Sequence, residues 1–279
     1  MDFTITRISV LFLFLLLSVA GFSQEEAAAE SAGDQPASAV SLYNDGLTKL
    51  KAKEYEAALP LFVEAISLAD TTSETDMKVI GLAQKNGAIA AYYVGTEQRK
   101  SENFADAVVS YKMGIEYNPT FYANYIGLAQ SLDDKGDKVE AVTAYLNAAE
   151  ICGQSDKTED KVETMENKAT NTVIRLFLDE KMDETLAAAE AYLALKETGD
   201  IYTYQARALK AKGQSEAALT AVEKAMAVIG EGDNADMCYF AKGEILEAMG
   251  QKQEAINAYQ KAGGKYADMA KYRVSELEK

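Results

Sequence analysis

The chain of 279 residues contains no histidine and no tryptophan, and it has only two cysteines and three prolines. Without imidazole there is no Ser-His-Asp or Cys-His nucleophile pair, no histidine metal ligand and no histidine general base. Basic residues are also scarce, since 28 lysines and arginines accompany 44 acidic residues and the formal charge is −16. Nucleic acids and anionic membrane surfaces are bound through Lys and Arg, so we expect neither as a partner.

The chain is rich in alanine, with 46 residues, and in tyrosine, with 16. Alanine is the best intrinsic helix former and proline the worst, so this composition favours helices throughout. Hydrophobic residues make up 48% of the sequence, which is enough for a sizeable core. We therefore expect an all-α protein.

Residues 1–23 differ from the rest of the chain. Arg7 precedes an apolar run over residues 8–20, and the small residues Gly21 and Ser23 follow it. The run of 13 residues is shorter than the ~20 that a membrane-spanning helix needs, so we predict a signal peptide cleaved after Ser23. No cysteine follows that could carry a lipid, so we expect no stable membrane insertion after cleavage. The junction resembles those of exported proteins in Bacteroidota, which implies a periplasmic protein, with secretion as the alternative.

Residues 24–38 show no apolar periodicity and contain Gly33 and Pro36, so we predict a flexible linker there. The two cysteines, Cys152 and Cys238, lie far apart in the sequence. Exported proteins that depend on disulfides are usually smaller and richer in cysteine, so we expect two free thiols that are buried or partly buried.

From residue 39 onward, six segments share one spacing of large and small apolar residues. In five of the six, small residues recur at the eighth and twentieth places of the unit, and larger ones recur at places four, eleven, seventeen and twenty-four. This spacing lets two helices approach closely. The small positions are Gly46, Gly95, Ala129, Ala206 and Gly243 at place eight, and Ala58, Ala107, Ala141, Ala218 and Ala255 at place twenty.

The spacing resembles that of the tetratricopeptide repeat, a unit of ~34 residues that forms two antiparallel helices. The resemblance implies an all-α tetratricopeptide-repeat solenoid of about six helix pairs with a C-terminal capping helix. Extra residues in the second and fourth units predict longer first helices, beginning near Ser73 and Ser155. We place the repeats at about 39–72, 73–121, 122–155, 156–198, 199–232 and 233–264, and the cap at 265–279.

Several positions depart from the family's pattern. Lys49 and Gln98 replace a large apolar residue at place eleven. Pro60 lies inside the second helix of the first repeat, which predicts a kink or a delayed start of that helix. Val173 and Thr185 occupy the two small places of the fourth repeat, so we expect looser packing there and a bend that divides the array.

Two groups of acidic residues invite a metal interpretation, but neither has the glycine and the final carboxylate of a calcium loop. Both fall at expected turns, where Asp and Gly serve as caps and turn residues. The sequence also lacks a glycine-rich phosphate loop, a CxxC pair and a nucleophile elbow. We therefore predict no catalytic residue, no metal site and no cofactor. The two groups are Asp133, Asp134 and Asp137, and Glu231, Asp233 and Asp236.

The resemblance also implies a concave groove lined by the first helices at places two, five, six, nine, twelve and thirteen. Tyrosine and arginine suit such a groove because they combine a large contact area with hydrogen bonding, although some of these tyrosines could instead pack between repeats. The family's Lys/Asn clamp for a C-terminal carboxylate is not reproduced. The candidate groove residues are Tyr43, Asn44, Tyr92, Tyr93, Arg99, Asn171, Tyr204, Arg207, Lys210, Phe240 and Glu244.

Three functions remain open at this point. The first is a non-enzymatic protein–protein interaction scaffold in the bacterial cell envelope, which binds a protein or peptide segment in the groove. The second is a solute- or glycan-binding module that uses the groove tyrosines as stacking platforms. The third is an enzyme, for which the sequence offers no positive feature.

Overall fold

A computed structural model describes residues 37–230 and 233–279, and its regular elements in these ranges are all helical. The predicted signal peptide and residues 24–36 of the predicted linker lie outside the described residues. Within the described ranges, no helix is both long and apolar enough to cross a membrane. The helices are α1 (Ala39–Lys51), α2 (Tyr55–Leu68), α3 (Glu74–Lys100), α4 (Phe104–Tyr117), α5 (Tyr122–Lys135), α6 (Lys138–Gly153), α7 (Val162–Leu178), α8 (Met182–Leu193), α9 (Gly199–Ala211), α10 (Ser215–Val228), α11 (Ala235–Ala248), α12 (Lys252–Tyr259) and α13 (Ala267–Leu277).

Consecutive helices form six hairpins, from α1–α2 to α11–α12, and α13 packs against α12. Each hairpin turn is only two or three residues long, so the two helices of a pair run antiparallel. The predicted fold class, an all-α solenoid of tetratricopeptide-type helix pairs with a C-terminal helix, is confirmed. Below, the odd-numbered helices α1 to α11 are the first helices, and the even-numbered helices α2 to α12 are the second helices.

Small residues in the first helices make room for rings from the second helices. A Cβ atom added to Gly243 would lie 2.5 Å from the ring of Tyr259, and one added to Gly127 would lie 2.2 Å from Cε1 of Tyr111. Both tyrosines are almost completely buried. Gly243 belongs to the same pair as Tyr259, whereas Gly127 belongs to the pair that follows Tyr111, so the rings fix how closely helices approach both within a pair and between successive pairs.

The hairpin turns use two kinds of residue for one backbone shape. Gly136 and Gly213 take positive φ values of 97° and 76°, as glycine does without steric cost. The equivalent turns in the first, second and fourth repeats use Lys53, Glu102 and Glu180, with φ values of 64°, 61° and 58°. The turn geometry is thus kept even where the sequence lacks its usual glycine.

The second and fourth repeats are lengthened in different ways. Helix α3 extends over 27 residues, and Ser73 caps its start by accepting a hydrogen bond from the Asp76 amide at 3.3 Å, as predicted. The predicted helix start near Ser155 is wrong, because α7 begins at Val162. The Thr158 hydroxyl donates to the Cys152 carbonyl at 2.6 Å, so it closes the end of α6 with a turn instead. A short 3-10 helix, Glu159–Lys161, then leads into α7.

The two polar residues at place eleven have side-chain partners, and Pro60 lies inside a continuous helix. Lys49 pairs with Glu54 at 2.5 Å, and the Gln98 side chain accepts a hydrogen bond from Ser110 at 2.7 Å. The predicted delayed start at Pro60 is wrong, because α2 already begins five residues earlier.

The fourth repeat interrupts the regular stacking. Val173 and Thr185 are both fully buried, yet α7 and α8 contact each other less extensively than the helices of the other pairs. Helix α6 packs against both of them, while α5 and α7 share at most a marginal contact. One apolar core still runs from Val108 in α4 to Ile201 in α9, so the interruption affects the first helices and leaves the core continuous.

Both cysteines are free and buried, as predicted. Cys152 is 0% exposed and Cys238 is 1% exposed. Burial raises the pKa of both thiols, which keeps them in the protonated, unreactive form near neutral pH.

Candidate functional site

The candidate site is the first-helix face, defined as the surface formed by places two, five, six, nine, twelve and thirteen of the six first helices. Neighbouring first helices contact each other from α1 to α5 and from α7 to α11. The six first helices contain 12 acidic and 12 basic residues, a formal charge of zero. The six second helices contain 12 acidic and only four basic residues, a formal charge of −8.

An aromatic group occupies the face at the second repeat. Tyr93 is 39% exposed and stacks on Tyr55, with ring centroids 4.1 Å apart and planes at 12°. Tyr92 meets Tyr93 edge-on at 5.1 Å and Phe121 edge-on at 5.9 Å. These rings hold one another in place, so the exposed part of Tyr93 is already ordered for contact with a partner.

A cleft of about 300 Å³ opens beside Tyr92, between α3, α5 and the 3-10 helix Glu159–Lys161. The Thr96 and Tyr111 hydroxyls share a hydrogen bond of 3.1 Å in its wall. Burial raises the pKa of Tyr111, so the phenol stays neutral there. The polar residues that line the cleft are Thr96, Arg99, Tyr111, Tyr122, Gln130 and Lys161, together with Tyr92.

Two bases of the face join neighbouring repeats. Arg99 donates from Nε to Asp134 at 2.7 Å and from Nη1 to Gln130 at 2.9 Å. Lys210 pairs with Glu244 at 3.2 Å. Both links connect a first helix with the next one, so these two bases stabilise the stacking and are partly occupied before any partner binds.

A second aromatic group lies on the face at the fourth and fifth repeats. The Arg207 guanidinium lies over the rings of Phe177 and Tyr204, at 4.7 and 5.8 Å from their centroids. The two rings meet edge-on at 5.4 Å. Burial raises the pKa of Tyr204, an effect that Arg207 opposes. The group presents an aromatic surface with one cation on it, which suits contact with a partner's carboxylate, carbonyl or aromatic groups.

The other predicted residues differ in how far they are engaged. Tyr43 accepts a hydrogen bond from Asn86 at 3.2 Å and lies 6.0 Å from Phe62. Asn44 and Asn171 are exposed. Phe240 stacks on Tyr266 at 5.3 Å, with planes at 28°, and also contacts Tyr259 at 5.4 Å.

The structure adds residues that the sequence reasoning missed. Asp134 and Phe177 occupy places thirteen and twelve of their repeats, so the spacing marked them as face residues. The ion pair between Arg99 and Asp134 could also have been predicted, because Asp134 follows Arg99 by about one repeat. Lys161 and Tyr266 lie in 3-10 helices outside the repeat unit, where the spacing gives no signal.

The two acidic groups are engaged in different ways, since Asp133, Asp134 and Asp137 form ion pairs with Lys138, Arg99 and Lys135, whereas the described members of the second group bind backbone amides. The Asp233 carboxylate accepts from the amides of Gly199 at 3.1 Å and Gly230 at 2.8 Å, while Glu231 lies outside the described residues. Asp236 accepts from the Gly263 amide at 2.9 Å. Across the described ranges, no group of three or more Cys, Asp or Glu side chains is placed to hold a metal ion.

Comparison with known proteins gives one family match. Residues 238–262, which cover most of α11 and all of α12, match the family described as the tetratricopeptide repeat. No curated protein matches the chain. The match therefore covers one of the six helix pairs.

Several solved structures are similar to the chain at low identity. A thermophilic TPR protein from Thermus thermophilus is 15% identical, covering 86% of this chain and 99% of that one, with a TM-score of 0.31. The TPR2AB domain of yeast Sti1, in a complex with pHSP90, is 13% identical over 86% and 98%, with a TM-score of 0.36. A tetratricopeptide repeat protein from Parabacteroides merdae is 12% identical over 86% and 99%, with a TM-score of 0.34.

Proposed function

We propose that the protein is a non-enzymatic interaction scaffold that binds an extended segment of a partner protein along the first-helix face. The observation that carries the proposal is the contrast in composition between the two sets of helices. In a chain of charge −16, the first helices carry no net charge, and their surface holds two ordered aromatic groups. Partly exposed tyrosine and arginine are the residue types that dominate binding energy at protein interfaces.

The arrangement of the rings favours a peptide over a sugar. A stacking platform for a glycan needs an open ring face, and Tyr55 covers one face of Tyr93 while Arg207 covers one face of Phe177, so at most one face of each ring is left for stacking. The groups also offer hydroxyls and a guanidinium. Such groups match the carbonyl, carboxylate and aromatic groups of a polypeptide.

We further propose that this binding takes place in the cell envelope, in the periplasm. The support for this location is the apolar run over residues 8–20 followed by Gly21 and Ser23, a pattern typical of an export signal. N-terminal sequencing of the protein isolated from its native envelope tests this point. A chain that begins at Gln24 is expected, and an intact N-terminus on cytoplasmic protein would contradict the location.

Site-specific photocrosslinking in envelope extract tests the binding face. We expect a photoreactive residue at Asn44 or Asn171, both exposed on the first-helix face, to capture a protein partner. The same residue at Val109, which is 59% exposed on the second helix α4, should capture none or much less. Equal capture from Val109 would contradict the proposal.

Substitution of the aromatic groups provides the matched test. Tyr92→Ser, Tyr204→Ser or Arg207→Ser is expected to weaken partner capture at least about tenfold, as hot-spot residues do. Tyr272→Ser, at a tyrosine that is 61% exposed on α13 outside the face, should leave capture unchanged. Unchanged capture by all three face variants would overturn the proposal. Saturable binding of an oligosaccharide that the same variants abolish would favour the glycan-binding alternative.

A further inference from the structure

A second cleft, of about 530 Å³, lies where the fourth repeat departs from the regular spacing. It is formed by the C-terminal end of α6, the N-terminal end of α7 and the connection between α8 and α9. None of the residues of the first-helix face lines it. The main side chains around it are Leu146, Glu150, Val162, Glu166, Leu195 and Lys196.

One part of the cleft is apolar. Leu195 is 52% exposed, and it lines the cleft together with Val162 and the almost buried Leu146. A Cβ atom on Gly153 would lie 3.6 Å from Val162. These residues offer an apolar wall to a side chain that has an aliphatic stem.

The rest of the cleft is negative. Glu166 pairs with Lys196 at 2.5 Å, so these two charges balance each other. Glu150 is exposed and forms no ion pair with any residue in the described ranges. Helix α6 ends and helix α7 begins in the lining, so the negative end of one helix dipole and the positive end of the other both border the cleft, and its net negative charge is that of Glu150.

We propose that this cleft binds a basic side chain, lysine or arginine, from a segment of a partner protein. The aliphatic stem would lie against Leu195 and Val162, and the charged head would lie beside Glu150 and the end of α6. The second helices have a formal charge of −8, which attracts a basic segment to the molecule. The site is independent of the first-helix face, so either proposal can fail alone.

An NMR titration of the isotope-labelled chain from Gln24 to Lys279 tests the proposal. The probe is the capped tripeptide Ac-Ala-Arg-Ala-NH2, and the matched neutral probe replaces arginine with citrulline. We expect saturable shifts of the Leu195 methyl and Gly153 amide signals with the arginine peptide, and much smaller shifts with citrulline. Equal binding of the two peptides, or shifts that spare Leu195 and Gly153, would overturn the proposal.

Two variants separate a site from general charge attraction. Glu150→Gln should weaken binding of the arginine peptide about two- to fivefold, the range for a partly exposed ion pair. Glu190→Gln removes the same charge from an exposed position on α8 outside the cleft and should change the dissociation constant little. Equal weakening by the two variants would show that only overall charge attracts the probe, which contradicts the proposal. Both glutamates are exposed, so neither change should affect folding.

Discussion

The first helices and the second helices contain the same number of acidic residues. The first helices, however, contain three times as many basic residues as the second helices. Twelve acids are balanced by 12 bases in the first helices, whereas four bases accompany 12 acids in the second helices. The strong negative charge of the chain therefore belongs in large part to the second helices. A strongly charged chain can therefore contain a set of helices without net charge, against which a polypeptide can bind without general repulsion.

The two sets also divide the task of forming the core. Second helices supply large rings such as Tyr111 and Tyr259, and the first helices supply the small residues that receive them. The buried hydroxyls end beside polar groups of the first helices. Tyr111 shares a hydrogen bond with Thr96 at 3.1 Å, and Tyr259 donates to Glu247 at 2.8 Å. Each ring thus ties the stability of the pair to residues at the first-helix face.

We expect the greatest loss of stability when a small residue that receives a ring is enlarged. Gly127→Ala would place a Cβ 2.2 Å from Cε1 of Tyr111, a ring that is 2% exposed and also packs against Gly95. We expect a loss of about 2–3 kcal/mol in the free energy of unfolding, measured by urea unfolding followed by circular dichroism. Gly81→Ala is the matched control, because nothing lies within 4 Å of its Cβ position in α3. It should stabilise by about 0.5–1 kcal/mol, since alanine favours the helix. An unchanged stability of Gly127→Ala would contradict the role of the ring.

A smaller effect is expected where a second-helix ring meets a charge of the first helices. Burial raises the pKa of Glu247, but hydrogen bonds from Arg273 and Tyr259 outweigh it, so the pKa lies below its ordinary value. A lowered pKa means that the folded state favours the charged form, and this stabilisation is present above the ordinary pKa of glutamate. Glu247→Gln should therefore cost about 1–2 kcal/mol at pH 7 in urea unfolding.

The pH dependence of the stability loss in Glu247→Gln tests whether the charge of Glu247 causes it. As the pH falls through the lowered pKa of Glu247, the carboxylate takes up a proton and its stabilisation is lost. The difference between the natural chain and Glu247→Gln should shrink below about pH 4. Glu278→Gln, at an exposed residue that follows α13, serves as the control and should show little difference at either pH. A difference that does not change with pH would contradict the assignment.

A weaker effect is expected for the ion pairs, where the coupling energy of a pair on the first-helix face can be compared with that of an ordinary surface pair. Lys210 and Glu244 join two repeats with side chains 34% and 26% exposed, whereas Lys78 and Glu74 pair within one helix at 71% and 87%. A double-mutant cycle on the first pair should give a coupling of about 0.5–1 kcal/mol. The same cycle on the second pair should give a value close to zero. Equal couplings would show that the bases of the face contribute nothing special to stacking.

The repeat spacing was sufficient to predict six helix pairs and the C-terminal helix, because the contacts that define a pair lie within about thirty residues of sequence. The small places Gly243 and Ala255 belong to one such pair, and the ring of Tyr259 packs against Gly243. The two free cysteines were predicted from the low cysteine content rather than from the repeat spacing. The start of α7 was predicted wrongly, near Ser155, because the hydrogen bond from Thr158 to Cys152 that closes α6 has no signature in apolar periodicity.

The class of fold, the order of the helices and the positions that face a partner helix could all be predicted from the repeat spacing. Which face residues are engaged, as Arg99 is by Asp134 and Gln130, and where the stacking of first helices is interrupted became clear from the three-dimensional arrangement alone. These two kinds of feature differ in the range of the interactions behind them. Pairing within a repeat depends on local spacing, whereas side-chain partners between repeats depend on how successive pairs are rotated against each other, which the spacing within one repeat does not specify.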